Sequence, residues 1–424
     1  MDDSTLNGCG SRQPAPASGL PQRVFFEDSS ENSSDWRWPF WPLVPLYPYG
    51  NRRTLRTEIV KDTVWTFDQV QGIFYVVVPI RMTVVRLVAG GLLVYAPIAP
   101  TGECVRLLRE LEAQHGPVKY IILPTVSGIE HKVFVGPFAR QFRAAQVFVA
   151  PHQWSFPLNL PLSWLGLPLG RTQPLPKTPQ DAPFADEFDY AVLGPIHLGV
   201  GPFEEVAFFH RRSHSLLLTD SIVSIPAEPP PVVQLDPFPL LFHARDRASE
   251  VPEDTPANRL KGWRRIALFA FYFSPGALEV PPWGEVFAEA TQVGDRSRRN
   301  YFGLYPFRWK PGWEQSFDAL RQDGRLLVAP ILQKLILNRA PQETLDWAAR
   351  VAGWDFHRIL PCHLDAPLLA DSRQFRRAFT FLEKPLPAAG TPSAALPEAD
   401  LELLNRLDNG FSRRGILPAA KEPV

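Results

Sequence analysis

Three apolar runs of the chain stop at polar residues that a core would not choose. The run 118–123 leads into Pro124-Thr125-Val126-Ser127-Gly128-Ile129-Glu130-His131-Lys132. The run 215–219 stops at Asp220, and the run 357–361 stops at Cys362-His363-Leu364-Asp365. Imidazoles and carboxylates hold and move protons and bind cations. Loops at the carboxyl edge of a sheet are where α/β enzymes place such groups. Glu130, His131, Asp220 and His363 are therefore the candidate site residues. Each has an ordinary structural reading as well. Glu130 and His131 can open a helix, where a carboxylate favours the dipole. Asp220 can accept backbone N–H groups at a strand end, and His363 can be a neutral core imidazole. Cys362 has no identifiable partner to orient a thiolate, and free cysteine is more often a small buried hydrophobe. No dinucleotide fingerprint, phosphate loop, nucleophile elbow or Cys-x-x-Cys pair occurs. That removes the commonest nucleotide, serine-hydrolase and zinc-ribbon chemistries.

Those loops need a β-rich frame. Runs at 64–68, 74–80, 83–88 and 91–97 are dominated by Val, Ile, Tyr and Phe, with Gly90-Gly91 as a turn before the last. Val105, Leu107, Leu108 and Leu111 alternate with charged residues at helical spacing, predicting a helix over 103–115. Residues 118–123 read as a fully buried strand, 133–143 as a helix and 145–150 as a strand. After a loop over 151–187, the runs 205–210 and 215–220 form a hairpin, with His210 and His214 as solvated turn residues. Residues 226–256 read as a Pro-rich, acidic linker or excursion. Helices are expected at 259–273, 283–289, 313–325, 329–337, 342–352, 371–382 and 400–408, with a strand at 357–361.

The chain has 424 residues with 44 basic and 44 acidic side chains. Zero net charge excludes the long-range basic field of non-specific nucleic-acid binding. Three cysteines cannot build a disulfide framework, which points to a reducing compartment and a cytoplasmic location. The 46 prolines, roughly twice ordinary usage, predict short elements and rigid connections. Residues 1–35 are polar and acidic and read as a disordered arm, without a signal or transit pattern. Residues 36–49 interleave aromatics with proline, as an extended strap laid over apolar surface. Residues 144–170 carry no Asp, Glu, Lys or Arg but four prolines, which no spanning helix tolerates. Both stretches are candidate surfaces for a protein partner or a membrane periphery; no nucleic acid and no transmembrane span are expected.

The strand-end residues resemble the metallo-β-lactamase-like hydrolase fold, an αββα four-layer sandwich with one or two metals at its edge. The first motif of that family, Thr-His-x-His-x-Asp-His, sets Thr125 and His131 in place and Glu130 where Asp stands. Its two leading histidines fall on Val126 and Gly128. The His-x-Pro-Gly-His stretch falls on His197-Leu198-Gly199-Val200-Gly201, so its ligand falls on Gly201. The bridging Asp falls on Asp220 and the last His on His363. The missing positions all serve one metal. The resemblance therefore implies one surviving site for a Zn, Fe or Mn ion, held by Glu130, His131, Asp220 and His363, or a relic of it. Asp220 is the catalytic candidate if a metal-dependent hydrolase survives; the other reading is a non-catalytic binding or assembly protein. The chain more closely resembles a family of domains of unknown function from cyanobacteria and plants, remote relatives of this fold. That resemblance rests on Trp38–Tyr49, Ser127-Gly128-Ile129-Glu130-His131-Lys132, Pro151–Pro157 and Thr219-Asp220. The expected organisation is an arm (1–35), a strap (36–54), the sandwich (55–225 and 355–385), a largely helical insertion (226–354) and a C-terminal linker with a short helix (386–424).

Overall fold

Alternating apolar residues build two sheets. In the first, β1 (Leu55–Val60), β2 (Val64–Ile73), β3 (Val76–Arg86) and β4 (Leu92–Tyr95) pair antiparallel in sequence order. After α1 (Gly102–His115), β5 (Val118–Leu123), α2 (His131–Gln141), β6 (Gln146–Val149) and β7 (Thr172–Pro174) extend it in parallel. Parallel neighbours need crossovers, which the two helices help supply. The Thr101 hydroxyl caps α1 by accepting the Cys104 N–H. The second sheet starts with the antiparallel strands β8 (Phe188–His197), β9 (Pro202–His210) and β10 (Ser215–Leu218). An insertion follows, with α3 (Pro231–Gln234), α4 (Phe238–Ala244), α5 (Pro256–Tyr272), β11 (Leu278–Glu279), α6 (Trp283–Ala290), β12 (Arg308–Trp309), α7 (Trp313–Arg321) and α8 (Pro330–Leu335). After α9 (Pro341–Ala352), β13 (Arg358–Pro361) joins β10 in parallel and β14 (Leu368–Leu369) pairs on its far side. The helices α10 (Ser372–Arg377) and α11 (Glu398–Arg413) follow.

This computed structural model describes residues 33–43, 45–126, 130–154, 159–199, 201–384 and 396–424. Most of the expected N-terminal arm, Cys9, Ser127, Gly128, Ile129, Phe156, Pro157, Val200 and most of the Pro/Ala linker lie outside the described residues.

Three buried clusters define the layers. Leu93, Tyr95, Ile122 and Phe148 of the first sheet meet Phe188, Phe208, Leu217 and Leu360 of the second. Leu107 and Leu111 of α1 and Phe134 and Phe138 of α2 cover the other face of the first sheet at Val94 and Ile121. Leu345 and Trp347 of α9 and Phe375 of α10 cover the second sheet at Leu193, Phe209 and Leu216. Each such side chain contributes about 1.5–3 kcal/mol by leaving water. The result is the expected αββα four-layer sandwich. The insertion has its own core around Trp263, Ile266 and Phe242 and leans on Tyr75 and Val77 of the first sheet.

Several local expectations change. The expected loop over 151–187 leads directly into the full strand β8, whose Gly194-Pro195 reads as a breaker but sits in a register shift between Leu193 and Ile196. The runs 74–80 and 83–88 form one strand, because Arg81 between them is paired inside the protein. Of the two readings of 226–256, linker or excursion, the packing fits the excursion: Val232, Leu240, Phe242 and His243 are buried. His210 is fully buried, stacked on Phe188 with centroids 4.8 Å apart. The strap lies on its own domain, with Trp38 edge-on to Phe134 at 5.4 Å and Leu46 and Tyr47 buried. Within 144–170, Trp164 and Leu169 project into solvent. Among the described residues no helix is long and apolar enough to cross a membrane.

Candidate functional site

Strand pairing brings the four candidate residues to one rim. β10 and β13 run parallel with Leu218 opposite Pro361, so Asp220 and His363 leave the sheet side by side. β3 pairs with β4 only from Thr83 onward, which leaves its earlier edge open. There His363 docks as an isolated bridge to Ile80. Glu130 and His131 come from the other sheet, in the connection after β5. That connection is tied across the sandwich to β9: the Val206 N–H donates to the Pro124 carbonyl at 2.7 Å and the Val126 N–H to the Glu204 carbonyl at 3.3 Å.

Both imidazoles are oriented by backbone. His131 Nδ1–H donates to the Pro97 carbonyl at 3.1 Å, and His363 Nδ1–H donates to the Pro79 carbonyl at 3.0 Å. Those bonds assign the tautomers and turn both Nε2 atoms toward shared space. His363 Nε2 lies 2.9 Å from Glu130 Oε2 and 3.1 Å from Asp220 Oδ1. His131 Nε2 is buried with no hydrogen-bond partner among the described residues. Donor atoms of Glu130, His131 and His363 all lie within 4.8 Å of one another. Asp220 is not one of that trio and meets it at His363. Glu130 stands at the N-cap of α2 but its side chain makes no capping bond, so helix capping does not account for it.

Charge within the cluster centres on His363, which faces both carboxylates. Burial opposes the imidazolium of His363, but Glu130 and Asp220 outweigh burial and hold its pKa well above the ordinary histidine value. Burial likewise opposes the Glu130 carboxylate, and His363 overcomes it and pulls that pKa down. Burial keeps His131 neutral by lowering its pKa. The Cys362 thiol is buried, and burial pushes its pKa up, which removes it as a nucleophile.

Two residues that support this rim are hard to see in the sequence. Arg81 is buried, pairs with Asp68 at 2.8 Å, and donates to the carbonyls of Pro361 at 2.7 Å and Leu364 at 2.9 Å, bracketing His363. Glu205 is fully buried and accepts from Thr219 N–H at 2.7 Å, Ser221 N–H at 2.9 Å and the Ser221 hydroxyl at 3.1 Å, bracketing Asp220. Their only signal was a charged residue inside an apolar run, which is rare unless paired.

Among the described residues, the half of the rim where the resemblance leaves no ligands is filled by side chains. Val126 is buried. A Cβ at Gly201, whose φ is +138°, would fall 2.5 Å from the Trp154 indole. Lys132 donates to the carbonyls of Val126 and Trp154, and burial lowers its pKa to about 8. A second His/Asp group, His214, Asp355 and His357, sits at the opposite end of β10 and β13 and is exposed. Its imidazoles stack at 4.7 Å and 4°, so their lone pairs lie in parallel planes and do not converge. A cavity of about 1780 Å³ lies beside the rim and takes in Arg81 and Leu364, but none of the four candidate residues lines it.

No curated protein matches the chain. Among solved structures, a metallo-beta-lactamase from Pontibacter korlensis is similar at 15% identity over 42% of this chain and 75% of that one, with a TM-score of 0.30. The metal-soaked flavodiiron core of Synechocystis sp. PCC6803 is similar at 12% identity over 88% of this chain and 72% of that one, with a TM-score of 0.40. A flavoprotein from Thermotoga maritima is similar at 8% identity over 78% and 61% of the two chains, with a TM-score of 0.37. These are likenesses of fold, and the layers and rim described above rest on their own geometry. A family model spans residues 61–381, sandwich and insertion together, and the chain belongs to the family described as Domain of unknown function (DUF4336).

Proposed function

We propose that the rim holds a single Zn, Fe or Mn ion and serves a hydrolytic reaction in which water is the nucleophile. One observation carries the reading: His131 Nε2 is buried, turned into the cluster by the bond at its other nitrogen, and without a partner among the described residues. A buried polar atom in that state is costly unless something completes it. Two imidazoles with fixed Nδ1 atoms and a carboxylate are a fitting donor set for these metals. When bound, such an ion supplies Lewis acidity and lowers the pKa of a coordinated water toward neutrality. Glu130, His131 and His363 are the ligands. Asp220 lies just outside the trio, where it accepts a proton from His363 Nε2 or from the attacking water. Loading a cation requires His363 to give up its Nε2 proton, so protons and metal compete.

Elemental mass spectrometry of the purified full-length protein tests this. The expected content is about one ion per chain, lost in a His131→Ala, His363→Ala double variant. Content near zero after metal-replete expression overturns it. A second reading has its own support: a protonated His363 satisfies both Glu130 and Asp220 without any metal. In that case the protein is a non-catalytic binding or assembly factor, and the rim is an ion-paired latch.

A further inference from the structure

Two turns hold bulky aromatic residues in a backbone conformation that suits glycine and asparagine. The β2–β3 hairpin closes through Phe74 and Tyr75 at φ 50° and 61°. Two-residue loops of this kind normally carry Asn-Gly or Asp-Gly. In the insertion, Tyr301 and Phe302 stand at φ 47° and 58°. In this region Cβ crowds the next carbonyl, so each residue is strained, and such strain persists where it is used.

The two turns meet. The rings of Phe74 and Tyr301 are 5.4 Å apart and those of Tyr75 and Tyr301 5.2 Å. The Tyr75 hydroxyl donates to the Arg299 carbonyl at 2.7 Å, and His243 Nε2–H donates to the Phe74 carbonyl at 3.0 Å. Each pair has one anchored ring and one ring turned out. Tyr75 is 4% exposed, whereas Phe74 is 60% and Phe302 61% exposed. Ile73, also exposed, stands next to Phe74.

Three arginines precede the second turn in the chain. Arg296, Arg298 and Arg299 are all exposed on the segment leading into the second turn. Arg299 pairs with Asp236 at 3.2 Å, and Arg296 donates to the Val293 carbonyl at 3.2 Å. Arg298 has no partner among the described residues. The acids bonded to this segment are Asp236, paired with Arg299, and Asp295, which accepts the Ser297 N–H at 2.8 Å. The tip therefore keeps a surplus of positive charge.

We infer that these two turns form a docking tip for an anionic lipid surface. Phe74 and Phe302 enter the interfacial layer, and Arg298 with its neighbours faces the phosphate-bearing headgroups. Exposed aromatics beside arginine favour the boundary between headgroups and acyl chains, and each nearby cation adds attraction to an anionic leaflet. Held rigid by Tyr75 and Tyr301, the tip loses little conformational freedom on docking. Phe74 keeps one ring contact, with Tyr301, and Phe302 has none among the described residues, so most of both side chains faces solvent where Asn would relieve strain.

Co-sedimentation of the full-length protein with vesicles tests the inference. Wild type is expected to bind vesicles of phosphatidylcholine with about 30% phosphatidylglycerol at least about tenfold more tightly than phosphatidylcholine alone, and to be released by salt. The Phe74→Asn, Phe302→Asn double variant is expected to lose at least about tenfold in vesicle binding while its Tm rises by about 2 °C or more. Arg298→Gln is expected to weaken binding to anionic vesicles only. Wild type that ignores both vesicles, binds both equally, or binds unchanged in the double variant overturns the inference. Ultracentrifugation showing self-association that the double variant abolishes, without vesicle binding, overturns it in favour of a contact between copies.

Discussion

Asp220 and His363 are neighbours because Leu218 and Pro361 are register partners on parallel strands, and each functional side chain follows its strand by two residues. Their contact, His363 Nε2 to Asp220 Oδ1 at 3.1 Å, is thus set by backbone pairing between segments more than 140 positions apart. Once β10 and β13 pair, the two groups meet whatever the insertion between them does. Arg81 and Glu205 then hold the two strand ends from below.

Arg81→Lys keeps a charge for Asp68 but cannot span both carbonyls that the guanidinium reaches. The variant should fold, and its metal affinity should fall by about 10–100-fold, the usual effect of loosening a ligand's support. Metal titration followed by calorimetry checks this. Arg81→Met removes the ion pair to buried Asp68 and should cost about 3–5 kcal/mol in denaturant unfolding.

Glu205→Gln replaces one accepting oxygen with an amide that faces a donor, since both Glu205 oxygens accept backbone N–H groups. The expected cost is about 1–3 kcal/mol in chemical unfolding. Glu205→Ala should cost more, because it also releases the turn that carries Asp220.

Burial lowers the pKa of both His210 and His243 to about 3, with neighbouring arginines adding to it. An unfolded histidine titrates near 6.5. The unfolded chain therefore binds more protons between those values. The stability contributed by neutral His210 and His243 is complete above about pH 6.5 and is lost progressively as pH falls toward about 3. Tm measured across that window should drop steeply, and His210→Gln should flatten part of the slope.

Gly262 lies where α5 crosses α4, and a Cβ there would fall 1.8 Å from the Leu240 carbonyl oxygen. Gly262→Ala must push the helices apart and should lower stability by about 1–3 kcal/mol or more. A thermal melt reads it directly. If the insertion melts separately, the loss should appear in that transition first.

The sequence by itself determined the elements whose periodicity is clean. α1, α5 and α9 show amphipathic spacing, and β5 is apolar but for Lys119, so burial on one face or both dictates their form. It also singled out Glu130, His131, Asp220 and His363, because polar groups at the ends of apolar strands have no packing reason to be there. What it hid were features whose local signal runs against their context. Gly194-Pro195 disguised β8, and the prolines of 226–256 disguised α3 and α4, whose burial comes from distant partners. Arg81 and Glu205 looked like interruptions. Only the tertiary structure decided that they clamp the rim, that Trp154 fills the space at Gly201, and that Phe74 and Phe302 project together. Each of those outcomes depends on segments far apart in the chain, and contact across such distances is settled by how the sheets and helices close on one another.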